Sequence, residues 1–253
     1  MLYLYVEAPF ATFRTFTAGW YRPTATFLTP SAAYGLLLNI AGIETRLREE
    51  EQAHGGKTPA SLVRSGLPSA QVALGAPMFR ITGRESLNPL EGDESFPRIQ
   101  TMFQQLHNYP VGVSGKARAE ECKGNKYNIT PVRREFLSDF RTIIAMRGND
   151  DLEDRVRRGL AGEFNADRYG IPFLGDNAFL IDRLQPISEP GDVLWYERIT
   201  AEASDGVNDR ATRLTEQIDR AELSKTRSGL YAPNVESPSP TPPDGAWVEI
   251  HYP

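Results

Sequence analysis

The first forty-odd residues constrain this chain more than any other stretch, because they alternate, cap and stop as a strand followed by a helix would. Leu2, Leu4 and Val6 point one way and Tyr3, Tyr5 and Glu7 the other, the period of a strand about five to seven residues long. Pro9 is expected to end it. A helix is expected to open at Thr29-Pro30-Ser31: Thr29 is a good N-cap, and Pro30 sits where a missing N–H costs nothing. Gly42 suits the left-handed residue just past the helix end, and Leu36, Leu37 and Ile40 form a core face. Gly35 within it costs about 1 kcal/mol relative to alanine, which suits either a close approach of sheet backbone or of a ligand there, or plain packing. Between strand and helix lie Phe13-Arg14-Thr15-Phe16, Trp20-Tyr21 and Arg22-Pro23-Thr24-Ala25-Thr26-Phe27. Interleaved aromatics and arginines ahead of a helix N-terminus suit a surface that stacks bases and holds phosphates, with plain core packing as the alternative.

Downstream, the charge run Arg46 to Glu51 reads as a solvated face, and Gln71 to Thr82 as a strand broken at Pro77. Residues 98–137 mix polar, basic and aromatic positions without a core period, as in a hairpin that leaves the body. A strand is expected over Phe140 to Met146, with Ile143 and Ile144 buried. Asp150 to Arg158 reads as a helix with acids in its first turn and bases later, the order its dipole favours. Val193 to Thr200 is the last clear strand, and Ala201 to Thr226 is expected to be a polar helix. Ser237-Pro238-Ser239-Pro240-Thr241-Pro242-Pro243 reads as an extended linker. Ala246 to Tyr252 would then be a short strand or docking tail anchored by Trp247.

The net charge of −5 hides a local excess of the opposite sign. From Gly112 to Arg147, Lys116, Arg118, Lys123, Lys126, Arg133, Arg134, Arg141 and Arg147 stand against Glu120, Glu121, Glu135 and Asp139, a net +4. Phosphate neutralisation supplies most sequence-independent RNA affinity, so such a segment suits a groove that follows a nucleic acid. A solvated charged loop is the alternative. Gly112-Val113-Ser114-Gly115-Lys116 imitates the end of a P-loop, but Pro110 stands where the first glycine belongs and Ala117 replaces the hydroxyl that would hold Mg²⁺. Cys122, the single cysteine, excludes an internal disulfide or a cysteine-rich zinc module. Asp150-Asp151 and Asp176-Asn177 are better explained by backbone N–H partners than by a cation, so neither metal nor cofactor is expected. No apolar run reaches the roughly 18 residues of a membrane span, and Met1 leads straight into a strand, so a cytoplasmic location is expected.

The stretches APFATFR and RPTATFLTPSAAYGLLLNIAGIE resemble the Cas-five family of CRISPR-associated proteins, in which the order FR, T, PSxxYGLLxxIxGxE recurs, and Ile171-Pro172-Phe173-Leu174-Gly175-Asp176-Asn177 resembles the family's later P-F/Y-LG segment. The likeness spans roughly residues 1–200 and is greatest to the DevS-like branch. It implies an α+β fold: a ferredoxin-like domain of the RRM or RAMP type over 1–200, with a β-hairpin thumb inserted at about 98–137. A helical extension over 201–232 and a Pro-rich linker with a C-terminal docking tail over 233–253 would follow.

In function the resemblance implies a non-catalytic subunit of Cascade, the RNA-guided DNA surveillance complex, that binds the 5′ handle of the guide RNA and caps the complex in antiviral defence. Its partners would be a Cas-seven-type backbone subunit and a large Cas-eight-type subunit, with target DNA bound indirectly. Arg14 and Arg22 would contact phosphates or stack on bases beside Phe13, Phe16, Trp20 and Tyr21, and Thr29 and Ser31 would add polar contacts at the helix start. Lys116, Arg118, Lys123, Lys126, Arg133 and Arg134 would line the RNA in the thumb, with Tyr127 as a wedge and Arg141 as an open case. One branch of the family cleaves precursor guide RNA without metal, using a tyrosine, a lysine and a histidine. Here Tyr34 or Tyr109, Lys116 and His107 would be the pieces, but Ala117 follows Lys116 where that branch has a histidine.

Overall fold

Strand β1, Leu2–Ala11, is buried on both sides, and this organises the fold. Leu2, Leu4 and Val6 join the larger core cluster with residues of two helices, whereas Tyr3 and Tyr5 join a second cluster on the opposite face. The structure is a computed structural model describing residues 1–15, 20–46, 63–110, 127–200, 209–220 and 222–252, with backbone alone at 105–110 and 127–130.

After β1 come β2 (Tyr21–Arg22), α1 (Pro30–Ile40), β3 (Ala70–Pro77), β4 (Phe79–Thr82), β5 (Ser86–Pro89), β6 (Arg98–Pro110), β7 (Tyr127–Arg147) and α2 (Asp150–Leu160). Then follow β8 (Arg183–Ile187), β9 (Val193–Arg198), β10 (Thr212–Gln217), β11 (Arg227–Pro233) and β12 (Val248–Ile250). The main sheet runs β10-β11-β9-β3-β7-β1-β8, with β12 on β3 and both β2 and β6 on β7. Every pairing is antiparallel except that of β2 with β7.

The helices form where local signals placed them. Thr29 caps α1 by accepting from the Ala32 N–H at 3.3 Å, and Gly42 has φ +65. Asn149 caps α2 by accepting from the Leu152 N–H at 2.9 Å. Both helices bury leucines on the Leu2 face of the sheet. The opposite face is covered by the small β4–β5 sheet, where Phe79 stacks on Tyr5 with ring centroids 6.1 Å apart. The break at Pro77 therefore changes sheets: β3 stays in the main one and β4 leaves it.

Four expectations are corrected. Pro9 does not end β1, because pairing with β7 continues to Ala11 while the β8 pairing stops at Glu7. On that unpaired side a missing N–H costs little. Asp139, opposite Pro9 in register, has φ +54, a conformation aspartate tolerates better than most residues. The alternation inverts across this pair: Phe140 and Ile144 share the larger core with Leu137, not with its even-numbered neighbours.

The helix expected over Ala201 to Thr226 is absent among the described residues. Thr212, Leu214 and Glu216 are buried while the residues between them are more exposed, the period of strand β10. Nor is Val193 to Thr200 the last strand, since β10, β11 and β12 follow. The proline-rich segment is no free linker: Ser239 and Val193 exchange backbone hydrogen bonds at 3.1 and 3.2 Å, and the Trp195 Nε1–H donates to the Ser239 carbonyl at 2.9 Å. Beyond it, β12 adds a short strand to β3, and Arg147 lies 4.0 Å over the Trp247 ring.

Candidate nucleic-acid interface

β6 and β7 pair from Arg98↔Ser138 to Pro110↔Tyr127, a two-stranded ribbon continuous with the core part of β7. Residues 20–25 lie along the root of this ribbon. The Arg133 N–H donates to the Trp20 carbonyl at 2.7 Å, and β2 pairs Tyr21 with Arg133 and Arg22 with Arg134. Glu135 holds the segment down: one carboxylate oxygen accepts from the Thr24 N–H at 3.1 Å and the other from the Tyr21 hydroxyl. That bond raises the Tyr21 pKa, because ionising the phenol would forfeit it and add a like charge. Thr24 in turn accepts from the Phe13 N–H at 2.8 Å, so Glu135 also fixes the residue before Arg14.

In-register residues of neighbouring strands share a face, so the ribbon root has two. Tyr21, Arg133 and Phe103 lie in one row, and Arg22, Arg134 and Met102 in the next. The first row is open: Phe103 is 82% exposed, Trp20, next to Tyr21 in sequence, is 71% exposed, and Arg133 stands 5.6 Å over the Tyr21 ring. An exposed row of aromatic and cationic side chains can stack bases.

The second row is charged, and its central arginine is sheltered. Arg134 is only 5% exposed, with Nη2 2.7 Å from Asp176 Oδ2 and Nη1 donating to Gln104 Oε1 at 3.2 Å. Nη2 has no aligned hydrogen bond, so its tie to Asp176 is a charge contact. Burial alone would raise the Asp176 pKa, but the Ala178 N–H, Arg134 and Arg14 outweigh it and hold the carboxyl below its usual range. Arg14 feels burial, then Arg134 and Arg22, all of which lower its pKa against the pull of Asp176. Arg134 and Arg14 thus act on the single carboxylate of Asp176 while Arg22 bears on Arg14, leaving net positive charge. Neither Arg14 nor Arg22 makes a side-chain hydrogen bond or ion pair to another described residue. A positive cluster of this kind suits an anion.

Gly175 brings the late motif to the early one. The Thr12 N–H donates to the Leu174 carbonyl at 3.1 Å, and Gly175 lies against the Thr12 carbonyl, with Asp176 next in line to reach Arg134. Proximity of these two blocks was not evident from either alone.

Other expected residues fare differently. Phe13 is buried, its ring centroid 5.5 Å from that of Phe140, so it packs instead of stacking on a base. Arg141 is buried too, donating to the Glu94 carbonyl at 2.9 Å and 4.0 Å from Glu7, which makes it a strut. Thr29 is committed to its cap and lies 3.2 Å from the half-buried Ser31 hydroxyl. Tyr34 is 2% exposed and donates to the Pro68 carbonyl at 2.6 Å. Burial pushes its pKa far up, so it is a poor proton carrier. A methyl added at Gly35 would meet nothing within 4 Å, so the expected close backbone approach is absent and the position faces open clefts. Phe16, Lys116, Arg118, Cys122, Lys123 and Lys126 lie outside the described residues, as do the side chains of His107, Tyr109 and Tyr127. Glu135, Phe103 and Asp176 were not foreseen as site residues: Glu135 looked like one of the acids diluting a basic segment, and nothing local marks Phe103 as solvent-facing.

The model of the family described as CRISPR-associated protein (Cas_Cas5) matches residues 1–165, well over half of the chain. The chain belongs to the Cas5 family. Two solved structures resemble this Cas5 member at 12% identity. A "CRISPR RNA-guided surveillance complex" chain aligns with TM-score 0.48 over 94% of this chain and 89% of its own. A "Crystal structure of Cas protein" aligns with TM-score 0.42 over 91% and 92%. No curated protein matches. Among the described residues of this Cas5 member no cluster of three or more metal-ligating side chains occurs, and no helix is long and apolar enough to cross a membrane.

Proposed function

We propose that this Cas5 family member is a non-catalytic, cytoplasmic Cascade subunit that grips the 5′ handle of a CRISPR guide RNA. The observation that carries this reading is the clustering of Arg14 with Arg22 and Arg134, of which Arg134 is paired with Asp176, beside an open Tyr21–Arg133–Phe103 row. The first arrangement suits phosphates and the second suits unstacked bases, the two demands of single-stranded RNA. A ferredoxin-like core accords with the sheet order β8-β1-β7-β3, with α1 after β1 and α2 after β7. The β6–β7 ribbon is then the thumb, and its outer end and the body would face a Cas-seven-type backbone subunit and a Cas-eight-type large subunit. Cleavage of the precursor is the weaker reading, since Tyr34 is buried and hydrogen-bonded away from the ribbon.

The test is one gel: purified protein, EDTA, end-labelled repeat RNA and mature guide, scored for retention and for cutting. Retention of the mature handle without cutting is the expected result. A discrete metal-independent cut, lost in His107→Ala, would overturn the scaffold reading in favour of a processing nuclease.

A further inference from the structure

The region 166–253 lies outside the stretch that the family model matches, yet part of it forms one wall of a cleft that Arg14 also lines. The cleft encloses about 750 Å³ between the start of α1 and the segment 212–223, ample for a nucleotide. Its polar lining includes Arg14, Thr29, Ser31, Thr215 and Arg220, and none of its described lining residues is a carboxylate. Two arginines with no carboxylate among the described lining residues make the lining cationic in a chain with 33 acids against 28 bases. Arg220 is exposed and makes no hydrogen bond or ion pair to another described residue. The helix end adds little: Pro30 has no N–H, and the Ala32 N–H is already taken by Thr29. The charge of the cleft therefore comes from its two arginines.

We propose that this cleft is a second subsite, in which Arg220 and Arg14 hold a further phosphodiester of the same single-stranded RNA. The inference rests on the RNA-binding reading above and extends it to residues of the C-terminal part. Guanidinium and hydroxyl groups with no competing carboxylate are the partners phosphodiesters take in protein–nucleic-acid contacts. Arg14 belongs to both subsites, since it feels Arg134 and Arg22 on one side and lines the cleft on the other. The strand would leave the arginine cluster past Arg14 and continue along the start of α1 toward Arg220.

Fluorescence polarisation of the full chain against repeat-derived RNAs of about 4 and about 12 nucleotides separates the two subsites. Arg220→Ala is expected to weaken the longer RNA about tenfold and to reduce its log–log salt slope by about 0.7, leaving the shorter RNA unchanged. Arg14→Ala should weaken both, and Arg220→Lys should restore the slope. Because Arg220 is exposed, its loss should not affect folding. Wild-type binding and slope in Arg220→Ala, with Arg14→Ala still impaired, would overturn the second subsite and leave the RNA reading standing. Equal losses on both lengths would also overturn it, by placing Arg220 in the first subsite. Unchanged binding in both variants, or none by the wild type, would sink the RNA reading and the subsite together.

Discussion

A Cβ on Gly175 would fall 1.6 Å from the carbonyl oxygen of Thr12, and Gly175 has φ +78. No other residue type fits that contact, and it joins the loop carrying Asp176 to the strand end that leads into Arg14. Gly175→Ala is expected to cost at least about 2 kcal/mol, from left-handed strain and a clash that must push backbone aside. Differential scanning calorimetry should show a lower midpoint, and RNA affinity measured well below that midpoint should fall too, because Arg14 and Asp176 part.

Asp176→Asn removes the counter-charge of a 5%-exposed arginine, a change that typically costs about 3–5 kcal/mol. Since the folded-state pKa of Asp176 is depressed, its stabilisation is complete above the unfolded-state value near 4 and is lost as pH falls through the lower folded-state value. Urea melts at neutral pH and below about pH 4 should therefore converge for wild type and variant on acidification. A constant gap would disprove the ion pair's role.

Phe103→Ala should leave the melting temperature within the small range of surface changes, since the ring is 82% exposed. If the row stacks bases, the same variant should lose about 1–3 kcal/mol of RNA affinity with no change in salt slope. Loss of stability without loss of affinity would assign the ring to packing.

Glu135→Gln tests what holds the 20–25 segment in place. A neutral amide can still accept from the Tyr21 hydroxyl or the Thr24 N–H, but more weakly. The Tyr21 phenol, held above its ordinary pKa chiefly by this bond, should titrate at lower pH in the variant, as read by ultraviolet absorbance. An unchanged tyrosine titration would contradict the bond.

Local signals made half of this molecule legible. Strand β1, the caps of both helices and the Pro77 break each depend on residues within one turn or strand, where period and capping chemistry speak directly. Strand β10 was missed because its buried positions are Thr212, Leu214 and Glu216; the buried glutamate is tolerable only because the Tyr231 hydroxyl, 2.7 Å away, and Arg198, 3.5 Å away, lie across the sheet. The arginines of the site announced themselves by their aromatic neighbours. The carboxylates of the site did not: Thr24 and Glu135 are 111 residues apart, and nothing in either neighbourhood foretells the other.

The facing pair Pro9 and Asp139 acts as a half-turn coupling between body and ribbon. On the body side, even-numbered residues of β7 look toward the helices; beyond the coupling that duty passes to Leu137, and Arg134 is delivered to Asp176 while Arg133 meets the solvent. Which face of the ribbon looks to solvent is thus decided at these two positions. Deleting Asp139 from β7 is expected to exchange the faces on which Arg133 and Arg134 stand relative to the body.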